Sequence, residues 1–88
     1  MEVFFRKSFT KDICKITDDK LKARLKELIT QLDNIENLNK LTGLKKIKGS
    51  TNAFRLRIGD YRVGFYQIEN QIHLSRFLKR NDIYKLFP

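Results

Sequence analysis

Three arginines fall within eight residues in the run Phe54-Arg55-Leu56-Arg57-Ile58-Gly59-Asp60-Tyr61-Arg62-Val63. A guanidinium stays charged at any ordinary pH and presents a planar fork of donors, so arginines at this density suit the oxygens of a phosphate. Whether they act together depends on register. Phe54–Ile58 alternates strictly between apolar and basic, Gly59-Asp60 is a two-residue turn, and Tyr61–Ile68 returns, which predicts a β-hairpin. Ile58 then faces Tyr61, Arg57 faces Arg62, Leu56 faces Val63, Arg55 faces Gly64 and Phe54 faces Phe65. Arg55, Arg57 and Arg62 project from one face, and Phe54, Leu56, Val63 and Phe65 from the other. Arg57 and Arg62 are direct neighbours of like charge, a cost that a bound anion would remove. Gly64, opposite Arg55, is expected to leave a shallow spot where a ligand backbone could approach.

A second turn at Glu69-Asn70 leads into Gln71–Leu78. Continuing the register puts Tyr66, His73, Ser75 and Phe77 on the arginine face and Ile72, Leu74 and Leu78 on the apolar one. Arg76 also falls on the apolar face, the mark of a bulge or of a side chain reaching out at the sheet edge. Arginines for phosphate and aromatic rings for bases make a surface suited to a bent single-stranded nucleic acid. His73, the only histidine, has no carboxylate in its strand neighbourhood and reads as a surface or stacking group. Cys14 is alone, cannot form an internal disulfide, and is expected to be buried and inert. No His/Cys cluster has the spacing of a zinc or iron site, so neither metal nor cofactor is expected.

The elements that position this hairpin come from the first half of the chain. Met1–Phe5 is β-prone. Ser8 is the expected N-cap of a short helix carrying Phe9, Ile13 and Ile16. Thr17, Asp18 and Asp19 then start a longer one, on which Leu21, Leu25, Leu28, Leu32 and Ile35 recur at steps of four and three over about five turns. That stripe reads as core. Leu38–Ser50 is lysine-rich and broken by Gly43 and Gly49, which predicts a loop pinned by Leu41, Leu44 and Ile47. Asn81 or Asp82 caps a brief terminal helix. The expected fold is α+β: an N-terminal strand, two helices on one face of an antiparallel sheet, a three-strand meander and a short C-terminal helix.

At 88 residues and 41% hydrophobic composition, the chain has material for one core, so residues 1–88 are expected to form one domain. No apolar run reaches membrane-spanning length and the first residues do not read as a signal peptide, so a cytoplasmic protein is expected, without a membrane partner. The formal net charge is +9, and it is segregated: residues 1–39 hold eight Lys/Arg and seven Asp/Glu, residues 40–88 eleven and three. Solubility alone does not require such segregation. A one-sided potential attracts phosphate or an acidic protein.

The hairpin string resembles that of RelE/ParE toxins, and Lys79-Arg80-Asn81-Asp82-Ile83-Tyr84 resembles their terminal block of a basic residue followed by Ile/Val-Tyr. The order of elements matches too, so the resemblance covers nearly the whole chain. It implies a toxin of a type II toxin–antitoxin system: a metal-free endoribonuclease that cuts mRNA in the ribosomal A site and is neutralised by a cognate acidic antitoxin. In that chemistry the substrate's 2′-OH attacks the adjacent phosphate and expels the 5′-oxygen. Carried over by position, the resemblance assigns Arg55, Arg57, Arg62, Arg80 and Tyr84 to the catalytic group. Arg57, Arg62 and Arg80 would stabilise phosphate charge, and Tyr84 would stack on a base or move a proton. Lys79 stands where the family usually has a histidine and could transfer a proton. Lys46, Lys48, Tyr66, His73 and Lys79 are expected to contact RNA. The family likeness also admits a non-enzymatic, ParE-like inhibitor of gyrase and an inactive RNA-binding homologue.

Overall fold

The computed structural model describes all 88 residues. The chain runs β1 (Glu2–Phe5), α1 (Lys7–Cys14), α2 (Asp19–Asn34), a 3-10 turn (Leu38–Lys40), β2 (Leu44–Lys46), β3 (Ala53–Ile58), β4 (Tyr61–Ile68), β5 (Gln71–Lys79) and α3 (Arg80–Leu86). One five-stranded sheet has the order β1-β5-β4-β3-β2. The class is α+β as expected, and the structure adds detail. The stretch read as a loop contains an edge strand, β2, antiparallel to β3. The sheet is mixed, because β1 runs parallel to β5.

The β3–β4 hairpin has the register that its two-residue turn dictates, Arg57 opposite Arg62 and Arg55 opposite Gly64. Gly59 takes φ 55°, the left-handed value that such a turn draws from glycine. Between β4 and β5 the register shifts once: Phe65 pairs with Leu74 but Gly64 pairs with Arg76. This bulge reverses the facing of everything after it. Phe77, expected on the arginine face, is buried in the core opposite Val63, and Leu78, expected in the core, lies opposite Arg62. Arg76 is thereby removed from the apolar face.

The main core lies between the sheet and the first two helices. Phe9 from α1, Leu25 and Leu32 from α2, and Leu56, Val63, Phe65, Ile72, Leu74 and Phe77 from the strands are all buried in one cluster. Leu38 and Leu41 from the connecting segment join them, while Leu44 and Ile47 are half-buried. Asp18 caps α2, accepting from the backbone N–H groups of Lys20 and Leu21. Ser8 does not cap α1. The N-cap is Arg6, without a side-chain bond, and the Ser8 hydroxyl donates across to the Ser75 carbonyl instead. Ile16 lies beyond the end of α1.

The edge of β5 past β1 is closed by α1. Buried Asp12 accepts from the Phe77 N–H at 2.9 Å and from Arg76 Nε at 2.8 Å, with Arg76 Nη2 on its other oxygen at 3.1 Å. A charged side chain otherwise foreign to a core thus satisfies an edge amide and is itself neutralised. Cys14 is exposed, not buried. It stands beside an apolar groove of about 600 Å³ lined by Phe5, Ile13, Leu25 and Ile29 and flanked by Lys22 and Lys26.

Candidate active site

The site is the arginine face of β3 and β4, with β2 beside it and α3 laid upon it. Alternation fixes Arg55 and Arg57 on one side of β3, and the tight turn brings Arg62 back beside Arg57. The edge strand β2 sets Lys45 opposite Arg55, so Lys45 shares this face. After β5, α3 folds onto the same side. It is held there by Ile83 and Phe87, both buried against Ala53 with Tyr66 and Leu78 around them. Tyr84, between those two anchors, is half exposed at the rim of the arginines.

The result is a cleft of about 460 Å³ lined by Gly43, Leu44, Lys45, Arg55, Arg57, Arg62, Arg80 and Tyr84. That volume falls in the range of clefts that hold a small molecule or a nucleotide-sized group, roughly 300–1,000 Å³. Its lining contains five cationic side chains and no carboxylate, a one-signed potential that attracts anions. Elsewhere too, no three His, Cys, Asp or Glu side chains converge as a metal would require. Arg62 is preorganised, its Nη1 donating to the carbonyls of Gly59 and Tyr61 at 2.9 Å each. Gly43 takes φ 81° and a Cβ there would come within 3.3 Å of the Arg57 Cβ, so glycine lets this wall close against Arg57. The Gly43 carbonyl accepts from the Arg57 N–H at 3.2 Å.

Tyr84 is gripped by guanidinium groups. The Arg55 guanidinium lies over its ring at 4.4 Å from the centroid, and Arg80 Nε donates to its hydroxyl at 3.3 Å. This hydrogen bond is the main reason the phenol is held below the usual tyrosine pKa. Desolvation opposes the shift, and the positive charges of Arg80, Arg55 and Arg62 add to it. Because Arg80 donates to the oxygen, the phenol's own proton is free to point elsewhere in the cleft.

Five of the sequence-derived candidates, Arg55, Arg57, Arg62, Arg80 and Tyr84, meet in this cleft. The others do not. Lys46 pairs with Phe54, which places it off the arginine face, and Lys48 is exposed in the turn that follows β2. Lys79 pairs with Tyr61 and lies on a separate groove with Asp12, Arg76 and Asp82. Tyr66 and His73 are partners on the arginine face, but they are engaged. Arg6 stacks over Tyr66 at 4.9 Å, Phe87 packs against it at 5.1 Å, Phe4 stacks on His73 at 5.0 Å, and Gln71 bonds the His73 ring. The shallow spot expected over Gly64 is filled by the ring of Phe87. Lys45, Gly43 and Leu44 are additions that the sequence reading missed. They escaped because β2 is three residues long with one apolar residue, Leu44, too short for a period of two to show.

The family described as "ParE toxin of type II toxin-antitoxin system, parDE" matches residues 3–84. Toxin RelE3 of Methanocaldococcus jannaschii is 39% identical over the full length of both chains. The toxin–antitoxin structure of RelB–RelE from Methanococcus jannaschii matches with a TM-score of 0.82 at 35% identity, covering 97% of this chain and 99% of that one. An archaeal RelE–RelB complex from Pyrococcus horikoshii has the same fold, with a TM-score of 0.74 at 20% identity over 90% of this chain and 93% of that one. Match, identity and fold agree with the cleft's composition: the chain belongs to the RelE/ParE superfamily of toxins from type II toxin–antitoxin systems.

Proposed function

We propose that this toxin is an endoribonuclease that cuts mRNA in the ribosomal A site without a metal and is silenced by an acidic antitoxin. The observation that carries the reading is Tyr84, an acidified phenol set among four arginines in a cleft without carboxylates. In transesterification the 2′-oxygen attacks phosphorus, a P–O bond forms to it, and the P–O5′ bond breaks. The products are a 2′,3′-cyclic phosphate and a 5′-hydroxyl. Negative charge grows on the non-bridging oxygens, where Arg57 and Arg62 stand ready. Arg55, face-on to the phenol, and Arg80, bonded to it, lower the cost of the phenolate that remains once Tyr84 gives its proton to the 5′-oxygen. Arginines are poor proton acceptors, and Lys45 is the one other basic side chain of the cleft lining.

The partner reading rests on charge and surface. The Methanococcus RelE is seen with its antitoxin RelB, and here a net charge of +9 is combined with the apolar groove between α1 and α2 flanked by Lys22 and Lys26. An acidic amphipathic segment complements both. The test of function is to add purified protein to a translation extract and map mRNA 5′ ends, with free RNA and gyrase supercoiling assayed in parallel. New 5′ ends in translated message only are expected. Inhibited supercoiling with intact message would establish the gyrase reading in its place.

A further inference from the structure

Phe87 follows Tyr84 by three residues, and its ring covers the sheet where β4 has no side chain. A Cβ built on Gly64 would stand 2.6, 2.7 and 2.9 Å from three of its ring carbons, closer than any side-chain carbon can approach. Gly64 sits in mid-strand without a positive φ, so no turn demands glycine there. What the missing side chain provides is the seat for the ring. Gly64 is also the register partner of Arg55, the arginine that stacks on Tyr84.

The rest of the anchorage is as specific. Phe87 is 5% exposed, and Ala53 and Ile83 are fully buried with it. The Phe87 N–H donates to the Ile83 carbonyl at 3.0 Å, and Tyr66 closes the outer side. Tyr84 by contrast is half exposed, and its cation–π and hydrogen-bond partners are the guanidinium groups of Arg55 and Arg80, long side chains that bury little apolar surface on it. We propose that Phe87, seated on Gly64, is the positioning residue of Tyr84: it fixes the rotation of α3 against the sheet so that the phenol, bonded within the helix to Arg80, meets Arg55 of β3. The inference rests on Tyr84 working in the cleft, but its deciding measurement does not need RNA.

That measurement is the absorbance titration of tyrosinate in the full chain, with the Tyr84→Phe protein subtracted to remove Tyr61 and Tyr66. Tyr84 should ionise below the ordinary tyrosine range in the native protein. In Phe87→Ala, and in Gly64→Ala where the ring is displaced but present, it should move part of the way back, by the share that Arg55 and Arg62 of the sheet contribute, because the Arg80 bond lies within α3, while Phe87→Leu retains most of the native behaviour. In the cleavage assay kcat should fall on the order of a hundredfold in Phe87→Ala with KM changed less than about threefold, the loss that a misplacement near 1 Å produces. Gly64→Ala in the Phe87→Ala background should add nothing further, because both act on one contact. Tyr84 ionising alike in the native protein and both variants would overturn the proposal. So would an unfolded Phe87→Ala protein, which would make Phe87 an ordinary core residue. If native protein cuts no message, the nuclease reading fails while the titration still decides this one.

Discussion

On one face of the sheet thirteen buried residues form a single apolar cluster with α1, α2 and the segment that follows α2. On the other, three buried residues, Ala53, Ile83 and Phe87, hold α3 down beside a field of arginines. The first face has the density and reach that hold a small domain together. The second has one small plug, several exposed cations and a like-charge pair across two strands, an arrangement that costs stability and is useful only when an anion arrives. The packing that holds the domain and the cleft proposed to cut RNA thus lie on opposite sides of the same strands. Substitutions on the two sides should separate cleanly into those that unfold the protein and those that silence it.

The largest effect is expected on the helix-covered face. Phe65 is fully buried and stacks on Phe54 at 5.5 Å, so Phe65→Ala should cost about 3–5 kcal/mol in urea unfolding. Its remaining folded fraction should cleave at the native rate. Next comes the arginine face, where Arg57→Ala should slow cleavage a hundredfold or more, about 3 kcal/mol of transition-state stabilisation. Unfolding should be unchanged or slightly harder, since repulsion with Arg62 is relieved. Arg57 is the cleaner choice of the pair, because Arg62 also holds two carbonyls of the hairpin turn. An Arg57→Ala protein that unfolds easily, or one that stays active, would break the division between faces.

How much of this could be read from residue order alone depended on the range of the interaction. The hairpin register followed from a two-residue turn, and α2 from a leucine stripe beginning at Asp18, because both are local rules. What escaped was set by contacts distant in sequence. The β5 bulge reversed Phe77 and Leu78, and it goes with Asp12, 65 residues away, holding the Phe77 amide. β2 was hidden because an edge strand with one inward residue, Leu44, has no pattern to detect, and Lys45 was lost with it. Gly64 reads as an open spot for a ligand backbone, and it is filled by the Phe87 ring instead, because what covers it is settled by how α3 returns. Cys14 was assigned by residue type, and type does not determine which face of a short helix it occupies.

Tyr84 offers a test by pH of the chemical face alone. Its folded pKa is lowered, so a phenol that donates its proton is in the working form below that value and is lost as pH rises through it. Cleavage should therefore have an alkaline limb below the ordinary tyrosine range, and Tyr84→Phe should remove the limb together with a hundredfold or so of rate, the lower range of general acid catalysis. An unchanged limb in Tyr84→Phe would assign the proton to another group. On the structural side, Asp12→Ala should cost about 2 kcal/mol, since it strands the Phe77 N–H and the Arg76 guanidinium. Heat or urea unfolding reads this directly, and the alkaline limb should stay where it is.

The smallest effect is expected at the turn farthest from the arginine pair. Glu69 takes φ 54° in the β4–β5 turn, the only residue other than glycine with a positive φ. A left-handed backbone costs a residue with a Cβ roughly 1–2 kcal/mol, and the Gln67 side chain bonds the Glu69 carbonyl, not its carboxylate. Glycine at this position removes the steric cost but adds about 0.4–1 kcal/mol of backbone entropy to the unfolded chain. Glu69→Gly should therefore stabilise the fold by at most about 1.5 kcal/mol, read as a small rise in the urea midpoint without a change of slope. Glu69→Asn, which tolerates the left-handed region with a smaller entropy penalty, should gain at least as much. Both proteins should cleave at the native rate. A changed rate in either would mean that the far turn of the sheet is coupled to the cleft through β4, and that the two faces are not as independent as their clusters imply.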